Sequence, residues 1–235
     1  MATGDDLAAP ALAAVLGDRR FQSHAVLLST AVAANQWAGE GAPHGAVVVA
    51  DYQIAPRGRA GRSWKVTPGQ GLGFALVLRP QLPAEREGWL YTVVLAALAD
   101  VCGEGVTVEW PDEIHRGDTM LAGVGMEVRL GGRGVKWAVA NVLIQKAEPP
   151  RAELLAAVLQ AIDERLAAAT SAVLDDCAAR CRTVGRSVRV RLLGGTGRLQ
   201  GEAVELAGDG SLVVDTDDGR RIAVRPQDIG SIEQL

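Results

Sequence analysis

Residues 56–64 of this 235-residue chain carry three arginines, Arg57, Arg59 and Arg62, separated by glycine and alanine. Glycine permits backbone conformations with positive φ, so the N–H groups of such a segment can converge on one anion. Arginine adds a planar set of donors that matches a phosphate or a carboxylate. The segment therefore predicts a flexible loop that closes over an anionic ligand.

Two other interpretations of the same loop stay open. The first is a solvated basic loop without a ligand, and the second is an arginine-glycine segment that contacts RNA. Aromatic residues make up only 4% of the chain, so platforms for stacking bases are scarce. The net charge of −4 and the pI near 5.5 also argue against general binding of nucleic acid.

Apolar runs predict the elements that hold the loop. A run at residues 46–50 ends just before the loop and predicts a buried strand, and residues 71–79 predict another. Residues 90–101 have helical apolar spacing, with an end at Gly103. Further strands are predicted at 106–110, 121–130 and 135–144, the last two joined by a glycine-rich turn at 131–134.

Helices are predicted near both ends of this region. The alanine-rich residues 1–20 predict a short helix that ends near Gly17. Two prolines at 149–150 suit the first turn of a second helix, because proline lacks the N–H group that would be unpaired there. An apolar stripe over residues 152–170 predicts that this helix is amphipathic, and the helical pattern continues to Arg182.

The pattern changes to period two after Gly185. Short alternating strands at 188–192, 199–206, 211–216 and 221–224, separated by glycine-rich turns, suggest a small β-barrel. The predicted fold class is therefore α/β (α+β), with a mixed sheet backed by helices and a small C-terminal barrel. We expect one domain over residues 1–184 and a second over residues 185–235.

The chain offers no sequence pattern for a metal site or a disulfide framework. Its three cysteines are too few for such a framework, and its three histidines form no zinc motif. No run of 18 apolar residues exists, and the acidic N-terminus lacks the basic segment of a secretory signal. We therefore expect a cytoplasmic protein without a membrane partner. The cysteines and histidines are Cys102, Cys177, Cys181, His24, His44 and His115.

Four motifs, in order and spacing, resemble the biotin protein ligases of the biotin/lipoate ligase superfamily. Ser29-Thr30 resembles the family's Ser-Thr-Asn, and Gln53 to Trp64 resembles its Gly-Arg-Gly-Arg-x-Gly-Arg-x-Trp loop. Residues 109–114 resemble its Lys-Trp-Pro-Asn-Asp segment, and residues 121–124 resemble its Lys-Leu-Ala-Gly-Ile-Leu strand. The last 50 or so residues resemble its SH3-like barrel. The segment before Ser29 is too short for the DNA-binding winged helix of some members, so we expect no nucleic-acid partner.

The resemblance implies a two-step reaction. The carboxylate of biotin attacks the α-phosphate of ATP to give biotinyl-AMP and pyrophosphate, and a lysine of a biotin-carrier protein then attacks the acyl-adenylate. Preorganised donors stabilise the negative charge that both steps build. ATP, Mg²⁺ and biotin are the implied cofactors and substrates if ligase activity is retained. The implied ligand-binding residues are Ser29, Thr30, Gln53, Arg57, Gly58, Arg59, Arg62, Trp64, Asp112, Met120, Leu121 and Gly123.

The resemblance also assigns roles to these residues. Ser29 and Thr30 line the biotin pocket, and Gln53 contacts the ring end of the acid. Arg57 and Arg59 contact the adenylate. Trp64 packs at the base of the loop, and Gly123 allows the backbone to approach the ligand.

The chain departs from the family at positions whose charge would affect a bound carboxylate or phosphate. Met120 stands where the family has a lysine that reaches the acyl carboxylate and phosphate, so no confident catalytic residue can be named. Glu109 and Asp112 replace a lysine and an asparagine. With Glu113 they would repel a triphosphate unless Mg²⁺ lay between.

Three further departures concern the pocket walls. Pro56 replaces the first glycine of the loop and removes one N–H donor. Ala31 replaces the asparagine of Ser-Thr-Asn. Asn141 is displaced by one position from the asparagine of the family's Gly-Ile-Asn strand. A shift of one residue on a strand turns a side chain to the opposite face.

Three hypotheses of function remain open from the sequence, including whether the chain is an enzyme. The first is a diverged biotin-protein-ligase-like protein of weak or lost activity that keeps a pocket for a carboxylic acid or its adenylate. The second is an active biotin–[carboxyl-carrier protein] ligase, or a ligase for another acyl group. The third is a non-enzymatic ligand sensor or assembly partner. A homodimer is compatible with each.

Overall fold

The computed structural model describes residues 5–67, 69–132, 134–147, 150–194 and 197–235. The helices are α1 (Ala9–Leu16), α2 (Thr30–Gly39), α3 (Trp89–Cys102), α4 (Arg151–Ala167) and α5 (Thr170–Arg180). The strands are β1 (Phe21–Leu27), β2 (Val47–Gln53), β3 (Leu72–Leu78), β4 (Val106–Glu109), β5 (Glu113–Arg116), β6 (Thr119–Gly131), β7 (Gly134–Ile144), β8 (Ser187–Leu192), β9 (Arg198–Leu206), β10 (Leu212–Thr216), β11 (Arg221–Val224) and β12 (Ile229–Gln234).

The first sheet has seven strands in the order β1-β2-β3-β7-β6-β5-β4. Strands β1 and β2 run parallel, and the other neighbours are antiparallel. Strand β3 is buried at every position, which accounts for its continuous apolar sequence. The mixed sheet and its helices confirm the predicted α/β class.

Helices cover the two faces of this sheet. On one face, Phe74 and Leu76 of β3 pack with Leu95 of α3 and Leu155 of α4 in the main hydrophobic core. On the other face, alanines of α2 pack against β2, β3 and β7 in a smaller cluster. Small side chains on α2 let the helix lie close to the sheet, which places Ser29 and Thr30 at one end of the strands.

The predicted helix up to Arg182 is interrupted, so this expectation is corrected. Helix α4 ends at Ala167, and Ala168 has an extended backbone with ψ of 161°. The break allows α5 to fold back toward α3. Arg165 then pairs with Asp100 on α3 at 2.8 Å and with Asp176 on α5 at 2.6 Å.

The start of α4 is held by a buried cluster of charges. Arg151 is 1% exposed, and its guanidinium pairs with Asp6 at 2.6 Å and with Asp51 on β2 at 2.7 Å. These pairs join the N-terminal turn, β2 and α4. The predicted turn at 131–134 and the predicted helix start at 149–150 each include a residue outside the described ranges, Arg133 and Pro149.

The second sheet is antiparallel, with the order β11-β10-β9-β8-β12. This sheet is open at β11 and β12, so closure into a barrel is not confirmed. The main core continues into it through Val188, Val190 and Ile229. The indole of Trp110 also donates to Gly210 O at 3.0 Å, so the two sheets share contacts across the predicted domain boundary.

The cysteines that lie near the end of α5 are buried side chains. Cys177 is 2% exposed and Cys181 is 7% exposed, and both are free thiols. Burial raises the pKa of Cys177 to about 12. In the part of the chain that the structure describes, no helix combines the length and apolar character needed to cross a membrane.

Candidate functional site

The glycine-arginine loop, residues 56–64, leaves the end of β2 and closes on itself. The Trp64 N–H donates to Pro56 O at 3.0 Å, and the Gly58 N–H donates to Arg62 O at 2.8 Å. Ala60 has a φ of 54°, in the left-handed region, and so reverses the chain at the tip. The loop is therefore a folded element whose side chains have fixed directions.

A buried polar network lies under the loop. Gln53 Oε1 accepts the Thr30 N–H at 2.8 Å, and the Thr30 hydroxyl lies 3.0 Å from both Gln53 Oε1 and Asn141 Oδ1. The Asn141 amide donates to Arg57 O at 2.6 Å. All three side chains are at most 2% exposed. The network thus joins β2, α2, β7 and the loop at one point.

The wall beside this network is apolar. A Cβ on Gly58 would lie 2.5 Å from Trp64 Nε1, so the indole packs directly on the loop backbone. A Cβ on Gly123 would lie 2.7 Å from the Met120 methyl and 3.3 Å from Trp64 Cζ2. The space above Gly123 is therefore shared by the Trp64 ring and the end of the Met120 side chain.

Comparison with known proteins identifies the family. The profile of the biotin/lipoate A/B protein ligase family matches residues 24–142. The chain belongs to this family.

Relatives cover most of the chain. The bifunctional ligase/repressor BirA of Bacillus subtilis is 27% identical over an alignment of 229 residues, gaps included, that covers 83% of this chain and 69% of BirA. The biotin–[acetyl-CoA-carboxylase] ligase of Mycobacterium tuberculosis is 27% identical over an alignment of 210 residues that covers 79% of this chain and 78% of that ligase. A solved structure of the Aquifex aeolicus biotin protein ligase with biotin and ATP has a TM-score of 0.71 at 20% identity, covering 92% of this chain and 99% of that one. The structural likeness supports the shared fold.

Within this biotin/lipoate ligase fold, Arg59 points inward. Its guanidinium is 2% exposed, lies 3.1 Å from Asp112 Oδ1 and donates to Ile229 O on β12. Arg62 donates to the next carbonyl, Gly230 O, at 2.7 Å. Two arginines of the loop therefore hold the second sheet, a role that the spacing of the motif did not indicate.

Arg57, like Arg62, is exposed and has no carboxylate partner among the described residues, but it makes no contact with the second sheet there. Its guanidinium donates to Gly61 O at 3.1 Å, so it lies along the outside of the loop. Its carbonyl accepts from Asn141 on the inside. Arg57 thus joins the buried network to the outer face of the loop.

Asn141 is a site residue that its position in the motif did not predict. The expected displacement by one residue does not turn its side chain away from the site, because Asn141 bonds to Thr30 and to the Arg57 carbonyl. A single polar residue within the apolar run of β7 was the available signal, since a buried amide needs partners.

The acidic segment around Trp110 divides into two environments. Asp112 faces Arg59, and burial raises the pKa of the Asp112 carboxyl while the nearby guanidinium opposes this rise. Glu109 pairs with Arg182 and Glu113 lies 2.8 Å from His115 Nε2. Glu109 also lies 3.5 Å from His115 Nε2, so Glu109 and Glu113 converge on one imidazole, with the side-chain ligand atoms of all three within 4.8 Å of one another. Each of the three carboxylates expected to repel a triphosphate therefore has a basic side chain beside it.

Replacing Gly58 with alanine should open the loop, because the new Cβ would overlap the Trp64 indole. We expect a loss of about 1–3 kcal/mol in the free energy of unfolding and a changed near-ultraviolet circular dichroism signal. Gly39→Ala is the matched control, since a Cβ there meets no atom within 4 Å. Equal signals for the two variants would contradict the packing of Trp64 on Gly58.

Proposed function

We propose that this chain is a diverged biotin-protein-ligase-like protein that binds a small carboxylic acid, or its adenylate, beneath the glycine-arginine loop. Its ligase activity is weak or lost. The observation that carries the proposal is the network of Thr30, Gln53, Asn141 and the Arg57 carbonyl, combined with the Met120 methyl over Gly123. The first feature retains a polar site, and the second places a thioether where the family resemblance expects a cation.

The residues present can perform part of the chemistry that the family carries out. Hydrogen-bond donors held by a folded loop orient an anion, and the exposed guanidinium of Arg57 adds positive charge at the loop surface. Trp64 covers the Gly58 backbone and excludes water from that wall. In the family reaction ATP and Mg²⁺ supply the activated phosphate. The missing contribution is a cation beside the acyl carboxylate, and loss of one such donor typically costs about 10²–10³ in rate.

The second candidate is an active ATP-dependent ligase for biotin, or another acyl group, that acts on a carrier-protein lysine. One contact favours it. The Gln145 N–H donates to Leu121 O at 2.8 Å, so the chain leaving β7 carries the next residue, Lys146, past the end of β6 that holds Met120. Lys146 is exposed. It would supply the cation that Met120 cannot.

Several finer expectations accompany this proposal. They are a catalytic-type domain over residues 1–184, an SH3-like barrel over residues 185–235, and a cytoplasmic location. A carrier protein as partner belongs to the second candidate, and a homodimer is compatible with both. The exposed cation Arg57 and the loop contacts to Ile229 and Gly230 support a site that needs both sheets.

Mass spectrometry of reaction products separates the two candidates. The protein is incubated with MgATP and a pool of biotin, lipoate, octanoate and decanoate, alongside an authentic biotin ligase in the same buffer. We expect acyl-adenylate formation at least about 100-fold slower than by the authentic ligase, together with saturable binding of one acid by calorimetry. A rate close to that of the authentic ligase would replace the first candidate with the second, and absence of both binding and product would contradict the pocket itself.

A further inference from the structure

We propose that a basic surface around Trp137, formed by Arg79, Arg129 and Lys136, binds an acidic segment of a partner protein. This surface, called here the Trp137 surface, lies outside the candidate pocket. Its binding can be measured without any ligand of the pocket, so the test does not depend on the proposed function.

Three cations lie against one indole. Lys136 Nζ is 5.1 Å from the centre of the Trp137 ring, and the guanidinium carbons of Arg79 and Arg129 are 5.8 Å and 5.9 Å from it. Arg129 is the register partner of Trp137 across β6 and β7. The register shifts between Arg129 and Leu130, and such a bulge re-aims the adjacent Lys136.

These cations lack the carboxylate partners that other arginines have. Arg165 and Arg225, for example, each pair with an aspartate. No ion pair involves Arg79, Arg129 or Lys136 within the described ranges, and Glu127 on the same strand as Arg129 bonds instead to Asn35 at 2.6 Å. Unpaired like charges gathered in a protein of net charge −4 are unfavourable alone, so an anionic partner would relieve their repulsion.

A groove of about 680 Å³ adjoins this cluster. Arg79 and Lys136 line it together with apolar side chains, among them Leu82 and Val135. The Val135 N–H donates to Leu82 O at 2.9 Å, which fixes the groove wall to β7. A partner that fits therefore combines carboxylates with apolar side chains.

The surroundings of the Trp137 indole favour an acidic protein over a nucleic acid as the partner. Trp137 packs against the alanine cluster under α2, and cations occupy its surroundings, so the ring is not available to stack a base. Arg79 is also committed to Ala38 O at 2.7 Å and to Ala42 O at 2.8 Å. Within the ranges that the structure describes, Arg129 and Lys136 are the exposed cations of this surface, and two are too few to track a phosphate backbone.

The Trp137 surface lies on the same strand as the buried polar network. Trp137 and Asn141 are four residues apart on β7, about 13 Å at the rise of an extended strand. Variants at Arg129 and Lys136 therefore leave the contacts of Asn141 in place.

The test uses a fluorescein-labelled twelve-residue peptide of alternating glutamate and phenylalanine, measured by fluorescence anisotropy. We expect Arg129→Glu with Lys136→Glu to weaken binding at least tenfold. The matched control is Arg191→Glu with Arg198→Glu, which reverses two exposed cations that face each other on the second sheet. That variant should bind within twofold of the parent protein.

The position at which the peptide binds is checked with the same peptide carrying a photoreactive phenylalanine analogue. Its cross-links should map to residues 79–83 or 129–137. Cross-links on the second sheet, an equal loss in the control variant, or no binding at millimolar peptide would overturn the proposal. Tighter binding of a twenty-residue oligothymidylate than of the peptide would also overturn it, in favour of a nucleic acid.

Discussion

Replacing Arg59 with methionine should lower the free energy of unfolding by about 3–5 kcal/mol, the usual cost of removing one partner of a buried ion pair. Asp112 is 6% exposed, and Arg59 is its ion-pair partner at 3.1 Å. Without Arg59 the carboxylate stays buried beside apolar side chains, and Ile229 O loses a donor. The loop and the second sheet would lose their shared anchor.

Arg57→Met is the matched control for this experiment. Arg57 belongs to the same loop and has the same charge, but its side chain is exposed. Its replacement should change the free energy of unfolding by no more than about 0.5 kcal/mol. Urea unfolding followed by tryptophan fluorescence measures both variants, and a loss below 1 kcal/mol for Arg59→Met would contradict the anchoring role.

A double variant tests the pairing itself. Asp112→Asn combined with Arg59→Met removes the uncompensated charge. The double variant should therefore lose less free energy of unfolding than the two single variants lose in sum. Additive losses would indicate that Arg59 stabilises the loop through Ile229 O alone.

The sequence predicted the elements whose apolar patterns are strong. Strand β3 and helix α3 fall within one or two residues of the predicted ranges 71–79 and 90–101, because each has a long apolar pattern of one period. Strands β1, β5 and β12 and helix α2 were not predicted. Helix α2 is rich in alanine and lacks an apolar stripe, while β5 has four residues of which three can be charged.

The residue types of the candidate site could be predicted from the sequence, but the directions of their side chains could not. The loop motif located the three arginines, yet the inward path of Arg59 depends on the left-handed turn at Ala60 and on the position of β12, which is distant in sequence. The face on which Asn141 lies depends on strand register, which a motif comparison with a one-residue offset cannot fix. Local spacing therefore identifies chemistry, and tertiary contacts decide which groups meet the ligand.

Met120→Lys should raise acyl-adenylate formation by about 100-fold, the low end of the effect of one preorganised donor on developing negative charge. The Met120 methyl already lies beside Gly123 and the Trp64 ring, so an ammonium at the end of a side chain of similar length reaches the same region. The measurement is the initial rate of acyl-adenylate formation with MgATP and the acid that binds by calorimetry.

Thr119→Lys is the matched control, because it adds the same charge one position earlier at an exposed residue of β6. A lysine there should leave the rate unchanged. Equal gains in both variants would indicate a general effect of charge rather than a restored contact. No gain in Met120→Lys would show that the pocket lacks more than this one cation.

Lys146→Met then separates the two proposed functions. If Lys146 already supplies the cation, the parent protein has measurable activity that Lys146→Met removes, and Met120→Lys restores it in the double variant. If the activity is lost, Lys146→Met changes nothing and the gain from Met120→Lys is the same with or without Lys146. The gain from Met120→Lys does not need Lys146, because residue 120 is held on β6 next to Gly123.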